Sequence, residues 1–473
     1  MFGVEAALLV SFGFLLFALF SGYPVGLSLG GVGVVGLVCI AGLMNLGVLD
    51  PQLMPSLDIA FKRSLSVVPD RLANGLFGGG TATIFLAIPL FILMGTMLER
   101  SGVAVRLFDA GERLLCWIMP QFAGRTVLVL MLVAVMFAAT SGVVGASVSA
   151  LAAIAYPSLR KQGASPQLAS GLVIAAGSLG QIIPPSVVLV ILTVAINEFY
   201  APLHPGQVVE VFDMFRAALI PGLLLAVLYL AWGIIRWPAA DVEQQCHPGD
   251  HHQHPPSRRD LAVFVSPVLL IAAILGAVLT GFATLTDAAV FGVLGALALG
   301  IVFGDLSLQM IFDALLRTSK MWANIALILI GALIFTISLK AYGGDLYLQE
   351  LSRTVDRPIA LLALVLLLFF VLGFFLEFVE LTVLLIPIFG PVLFASSLDP
   401  VWIGLLIGLA VQTSFLTPPM GISLFYFQAA SRELNASIQP SSLEIVRGIF
   451  PFVTIQLGVI VAAFAVFVVV SLP

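Results

Sequence analysis

One proline spacing occurs twice in this chain. Between residues 157 and 195 the prolines are Pro157, Pro166, Pro184 and Pro185; between 391 and 429 they are Pro391, Pro400, Pro418 and Pro419, so each sits 234 residues from its counterpart. In each copy a loop proline leads into an apolar stretch with a Pro-Pro pair inside it, in GQIIPPS and SFLTPPM. A proline has no backbone N–H and clashes with the turn before it, so a tandem pair unwinds a helix and frees carbonyls. In hydrocarbon a freed carbonyl costs several kcal/mol unless something binds it. Interrupted apolar segments at matching places in two halves point to a secondary transporter with its sites at the breaks.

The solvent of such a chain has to be lipid. Hydrophobic residues make up 60% and charged residues 10%, with a mean hydropathy of +1.15; a soluble domain carries about 25% charged residues. The 473 residues accommodate about ten spans of roughly 20 residues, with loops and shorter half-membrane elements. The first apolar stretch has no basic leader and no small-residue cleavage site, so it reads as a retained helix. Cys39, Cys116 and Cys246 are too scattered for a disulfide framework or a metal cluster. No cofactor and no nucleic-acid partner are expected.

Hydropathy predicts spans at about 6–22, 25–44, 81–98, 167–196 (broken at Pro184) and 214–235, then 261–280, 287–303, 321–341, 401–429 (broken at Pro418) and 449–472. Two further apolar regions, 126–159 and 359–394, are interrupted at 140–147 and 373–380 by glycine and polar residues. They read as re-entrant helical hairpins, since irregular backbone at that depth needs protein or a watery cavity around it. The fold class is therefore all-α integral membrane, with two hairpins and two broken helices. Residues 1–237 form a first repeat, 238–260 a polar cytoplasmic linker, and 261–473 a second repeat. Five spans per half is odd, so the second half should be inverted. With the N-terminus outside, 13 of the 20 Lys and Arg fall on the inner side and 7 on the outer, as the positive-inside rule requires. Residues 98–117 mix Arg and acids with apolar residues at helical spacing and read as an amphipathic arm along the inner surface.

Chemistry concentrates where tips and breaks converge. Thr140, Ser141 and Ser147 supply hydroxyls, Gly142 allows tight backbone, and Pro184 and Pro185 release carbonyls from Gln181 to Ile183. An all-oxygen set suits a hard cation such as Na+. The second half offers Thr413, Ser414, Thr417 and the carbonyls before Pro418. The plainer reading is that such hydroxyls bond back to the preceding turn or join helices; the repeated break favours the ion site. Thr140, Ser141, Ser186, Glu377 and Glu380 are the candidates for contact with substrate. Glu377 and Glu380 share one helical face, and their carboxylates serve as cation ligands, proton carriers or hydrogen-bonding ties to the scaffold. Asp287 reads as a helix cap. A literal GxGxxG at Gly31 to Gly36 lies inside a span and reads as helix packing, and the four histidines from His247 to His254 read as a solvated loop.

The segments SGVVGASVSALAAIAYPSLRKQGASPQLASGLVIAAGSLGQIIPPS, GFFLEFVELTVLLIPIFGPVL and SFLTPPMGISLF resemble the large membrane (permease) subunit of tripartite ATP-independent periplasmic (TRAP) transporters, the DctM-like family, over essentially the whole chain. The resemblance implies an elevator-type, Na+-coupled importer of an organic anion in the bacterial inner membrane. It further implies a periplasmic binding protein that delivers substrate and a small four-helix membrane subunit. Many members read SGSS at the first tip, where this chain has Val143 and Val144. The SGVVGAS and GQIIPPS forms look like the branch associated with 2-oxo acids, mannitol and chloroaromatic acids. The turn Thr284 to Asp287 departs from the usual TPTE. A standalone ion-coupled carrier is the alternative, told apart by whether uptake needs a binding protein. An intramembrane enzyme fits less well: there is no HExxH or GxSxG, and the carboxylate pair has no embedded His or Lys. A channel would lack a mobile, occluding site.

Overall fold

The computed structural model describes residues 2–45, 79–122, 124–141, 144–238, 255–341, 358–434 and 438–471. Among them every regular element is a helix. The first half comprises α1 (Phe2–Phe20), α2 (Val25–Asn45), α3 (Gly79–Arg100), α4 (Val103–Ile118), α5 (Arg125–Ser141) and α6 (Val144–Lys161), then α7 (Pro166–Ser178), a 3-10 turn (Leu179–Gln181), α8 (Val187–Leu203) and α9 (Val211–Ile235). The second comprises α10 (Arg258–Leu279), α11 (Leu285–Phe303), α12 (Leu308–Ala341), α13 (Pro358–Leu372), α14 (Phe378–Leu393), α15 (Pro400–Leu416), α16 (Ile422–Ser431) and α17 (Ser442–Ser471). Five described helices, α9 to α12 and α17, are each long and apolar enough to cross a membrane, and α3 with α4 would make a sixth only as one element bent by 61°. The linker from residue 239 to 254, with its histidines, lies outside the described residues.

The loop prolines are helix-starting prolines. Ser165 caps α7 by accepting from Leu168 N at 3.2 Å, and Asp399 caps α15 by accepting from Val401 N at 2.8 Å. Pro166 and Pro400 follow these caps, where the missing N–H costs nothing. Pro157 and Pro391 instead sit inside α6 and α14. Both broken helices end before the Pro-Pro pairs, α7 through the 3-10 turn and α15 one residue short of Pro418, and the chain is helical again after them.

Packing partners exchange between the halves. Helix α6 packs on α16 while α14 packs on α8, and α2 packs on α12 while α11 packs on α3. The 234 spacing does not reach the first two helices: the left-handed glycines that turn α1 into α2 and α10 into α11 are Gly22 and Gly281. The broken helices occupy the centre. Every residue from Leu168 to Ser178 and from Ile403 to Leu416 is buried, as a helix apolar on all sides requires. The periphery exposes Leu9, Val10, Phe17, Ile220, Phe450 and Val469, apolar surface suited to lipid.

Three expectations need correction. Helix α12 begins at Leu308, not near 321, because its first turns carry Asp313 and Arg317, which pair with Arg100 at 3.4 Å and Glu99 at 3.2 Å beyond the apolar stretch. The arm is not continuous with residue 98: the chain bends at Gly102, whose φ is 71°, and α4 starts anew. The interruptions are shorter than 140–147 and 373–380, since α5 runs to Ser141, α6 starts at Val144, α13 ends at Leu372 and α14 starts at Phe378.

The arm is amphipathic as expected, burying Val103, Ala104, Leu107 and Phe108. Arg106–Asp305 at 2.5 Å and Arg113–Asp260 at 2.6 Å fasten it to the second half; such partly exposed pairs contribute about 0–1 kcal/mol each. Its inner face meets the first hairpin through Gln162, which accepts from the Thr126 hydroxyl and donates to Glu112 at 3.1 Å. Burial pushes the Glu112 carboxyl above the usual carboxylate range, against the opposing hydrogen bonds. Thr284 and Asp287 form a reciprocal capping box at the start of α11, which gives that divergent turn a structural role.

Candidate functional site

At the first break the backbone leaves α7 through the 3-10 turn and re-enters at α8 with Ser186 as its N-terminal flank. Leu179 O accepts from both Ile182 N at 3.1 Å and Ile183 N at 3.0 Å. Gln181 O, which Pro185 in the i+4 position cannot reach, accepts from the Ser186 hydroxyl at 2.7 Å. The Gln181 side chain is 3% exposed and its Oε1 has no donor. A buried amide oxygen with no donor is an acceptor that suits a cation, and hydroxyl, amide and backbone oxygens make the right donor set for Na+.

The second break is shorter. Thr417 N reaches Ser414 O at 3.1 Å, and Gly421 N closes back on Thr417 O at 3.0 Å around Pro418 and Pro419. The Thr413, Ser414 and Thr417 hydroxyls each donate to the preceding turn at 2.7 Å. Their protons are thus committed locally, while each oxygen keeps lone pairs.

The hairpin tips come to the same region. Ser147 is buried in the first turn of α6. Thr140 and Ser141 lie in the last turn of α5, where side chains are outside the description, and Gly142 lies outside the described residues. Glu377 is the N-cap of α14 and Glu380 its third residue, joined by a capping box in which Glu377 N donates to Glu380 Oε2 at 3.0 Å.

Two residues that the sequence reading passed over join these parts. The Tyr426 hydroxyl, on α16, donates to Glu377 Oε1 at 3.1 Å. Its ring lies against Gly145 of the first hairpin, where an added Cβ would come within 2.6 Å of the ring. Tyr426 therefore spans both tips. Gln412 Nε2, on α15, donates to Ser178 O at 3.3 Å, linking positions 234 residues apart. The repeat spacing carried a signal for Gln412, a lone amide in an apolar helix opposite Ser178; nothing marked Tyr426. No group of three or more His, Cys, Asp or Glu that would hold a metal occurs among the described residues. A small, partly open apolar pocket lies away from the breaks, at the arm elbow, lined by Leu98, Leu107, Phe137 and Ile271 among others.

A family model described as "Tripartite ATP-independent periplasmic transporter, DctM component" matches residues 12–469. The chain is 27% identical to the C4-dicarboxylate TRAP transporter large permease protein DctM of Rhodobacter capsulatus, over 91% of this chain and 93% of that protein. It is 28% identical to the sialic acid TRAP transporter large permease protein SiaM of Vibrio cholerae, over 84% and 87%. It is also 28% identical to the ectoine/5-hydroxyectoine TRAP transporter large permease protein UehC of Ruegeria pomeroyi, over 87% and 92%. In fold it is similar to the YdaH transporter of Alcanivorax borkumensis, with a TM-score of 0.62 at 14% identity over 89% of this chain and 90% of that one.

Proposed function

The chain belongs to the DctM component family of tripartite ATP-independent periplasmic transporters, and we propose that it imports an organic anion driven by Na+. It is a multi-pass membrane protein of the large permease kind, and its relatives are permeases, not enzymes. The relatives' names carry C4-dicarboxylates, sialic acid and ectoine, so the family leaves the substrate open; the tip motifs favour a 2-oxo acid or another monocarboxylate. The coupling ions sit at the breaks: one among Ser141, Gly142, Ser147, Gln181, Ile183 and Pro184, the other among Thr413, Thr417 and Pro418. The substrate lies between the tips, near Thr140, Ser186, Glu377 and Glu380, and the two halves are inverted repeats that carry it as an elevator in the inner membrane.

The observation that carries this reading is the pair of matching breaks that interrupt the two buried central helices, with an unpaired amide oxygen beside the first. The family supports a need for a small membrane subunit and a periplasmic binding protein. The test is reconstitution in liposomes with an inward Na+ gradient. The chain alone is expected to move no substrate, and addition of both partners to start uptake of the acid that the binding protein holds. Robust uptake by the isolated chain would favour a standalone carrier. Uptake indifferent to the Na+ gradient would remove the coupling.

A further inference from the structure

Ser178 ends α7, and the N–H of Ile182, its donor in an unbroken helix, is engaged with Leu179 O at 3.1 Å. Its carbonyl takes the first bond of the 3-10 turn, from Gln181 N, in place of that donor, and its second lone pair faces the buried centre of the fold. Gln412 supplies a second donor from α15, with Nε2 at 3.3 Å. The separation of 234 residues is the spacing of the Pro-Pro pairs. A contact between a position and its own repeat equivalent lies on the axis relating the repeats, and serine facing glutamine breaks the symmetry there.

From this contact the packing runs to both candidate ion sites. On one side Gly177 adjoins Ser178 and lies so close to α6 that an added Cβ would come 2.9 Å from Val148 Cα, one residue past Ser147. Gln181 follows Ser178 by one 3-10 turn, which places the two on one side of that turn. On the other side Thr413 and Ser414 follow Gln412 directly, and the Ser414 hydroxyl abuts Gly373 at the turn of the second hairpin. Gln412 is wholly buried, and its Oε1, like that of Gln181, has no donor. The Gln412 side chain is thus a polar tie, with an acceptor to spare, between two broken helices that an ion would rearrange.

We propose that Gln412 is a positioning residue that couples the two breaks, so that Na+ occupancy of one sets the geometry of the other and the ions bind cooperatively. This rests on the cation coupling proposed above. Coupling between sites needs a shared element that both sites bias, and the first-break turn held by Gln412 is that element.

The experiment is Na+ titration of thermal unfolding for the purified full chain, with choline holding ionic strength constant. The wild type is expected to titrate with a Hill coefficient near ~2. In Gln412→Met, a near-isosteric change that removes the amide, the coefficient should fall to about 1 and the weaker midpoint rise about tenfold. Ser147→Ala should shift the Na+ midpoint of Thr417→Ala in the wild-type background and leave it unmoved in Gln412→Met. A merely structural glutamine would not produce that loss of non-additivity. Should Gln412→Met fail to insert, Gln412→Asn, one methylene too short to reach Ser178, carries the same comparison. A cooperative titration unchanged in either variant overturns the inference, as does a non-cooperative wild type. A wild type with no response to Na+ counts against cation coupling itself.

Discussion

At the first break every residue from Leu179 to Ser186 is buried, whereas at the second Pro419 and Met420 are exposed and Thr417 and Pro418 half-buried. The carbonyls of the first find donors beyond the turn's own bonds, from Ser186 to Gln181 O and from Gln412 across the halves to Ser178 O. Those of the second are closed by near neighbours, Gly421 N and the Thr417 hydroxyl. One sequence device therefore gives two environments. The first break is part of the core and holds its geometry through long-range contacts; the second is locally closed and faces a surface. The hairpins differ likewise: Thr126, Ser158 and Gln162 bind together at the base of the first, while the positions 234 residues on are Ala360, Val392 and Ser396.

The largest effect expected is all-or-none. If the halves are inverted, the equivalent exposed positions Lys161 and Ala395 lie on opposite sides of the membrane. A cysteine at 161 should react with an impermeant maleimide only from the cytoplasm, and one at 395 only from outside. Labelling of both from one side would make the repeats parallel and end the comparison.

The second concerns how each broken helix is packed. Gly171 of α7 meets the Gly448 backbone of α17, whereas Gly404 of α15 meets the Met214 side chain, and Met214 stands 234 residues before Gly448. Backbone cannot yield and a methionine can. Gly171→Ala should destabilise by about 3 kcal/mol, at the upper end for overpacking, and Gly404→Ala by less than about 1 kcal/mol. Equal losses in thermal unfolding would show that the crossings are equally rigid.

At the breaks themselves, Ser186→Ala leaves the buried Gln181 carbonyl unpaired and should cost about 1–3 kcal/mol. Thr417→Val takes the hydroxyl from the Thr413 carbonyl, but at a half-buried position beside exposed Pro419 and Met420, and should cost below about 1 kcal/mol. A reversed order would contradict the distinction between a core break and a locally closed one.

The smallest effect is pH-dependent and belongs to the contact between the arm and the first hairpin. Burial raises the folded-state value of Glu112, so its contribution to stability is present below the unfolded carboxylate value and is lost as pH rises through the raised folded one. Glu112→Gln should flatten that part of the stability–pH curve and leave the neutral-pH protein at least as stable. An unchanged curve would mean that the carboxylate is solvated.

Much of the helical layout was legible, because apolar runs of fixed length and a twice-used proline pattern leave few choices. The placing of Pro166 and Pro400 and the cap at Thr284 and Asp287 followed from local chemistry. The extension of α12 to Leu308 was not legible, since Asp313 and Arg317 end the apolar signal without ending the helix. Burial was not legible either: GQIIPPS and SFLTPPM differ in exposure because of which helices surround them, and only the fold decides that. Gln412 was readable in principle from the 234 spacing, whereas Tyr426 reaches Glu377 and Gly145 through contacts that no spacing encodes.

That the breaks and their tips hold the coupling ion is tested most directly by Na+-driven uptake into liposomes containing this chain and both partners, comparing wild type with Ser141→Phe. The variant is expected to insert, to label at a cysteine placed at 161 as the same cysteine does without Ser141→Phe, and to lose uptake. Full Na+-dependent uptake by Ser141→Phe would place the ion elsewhere.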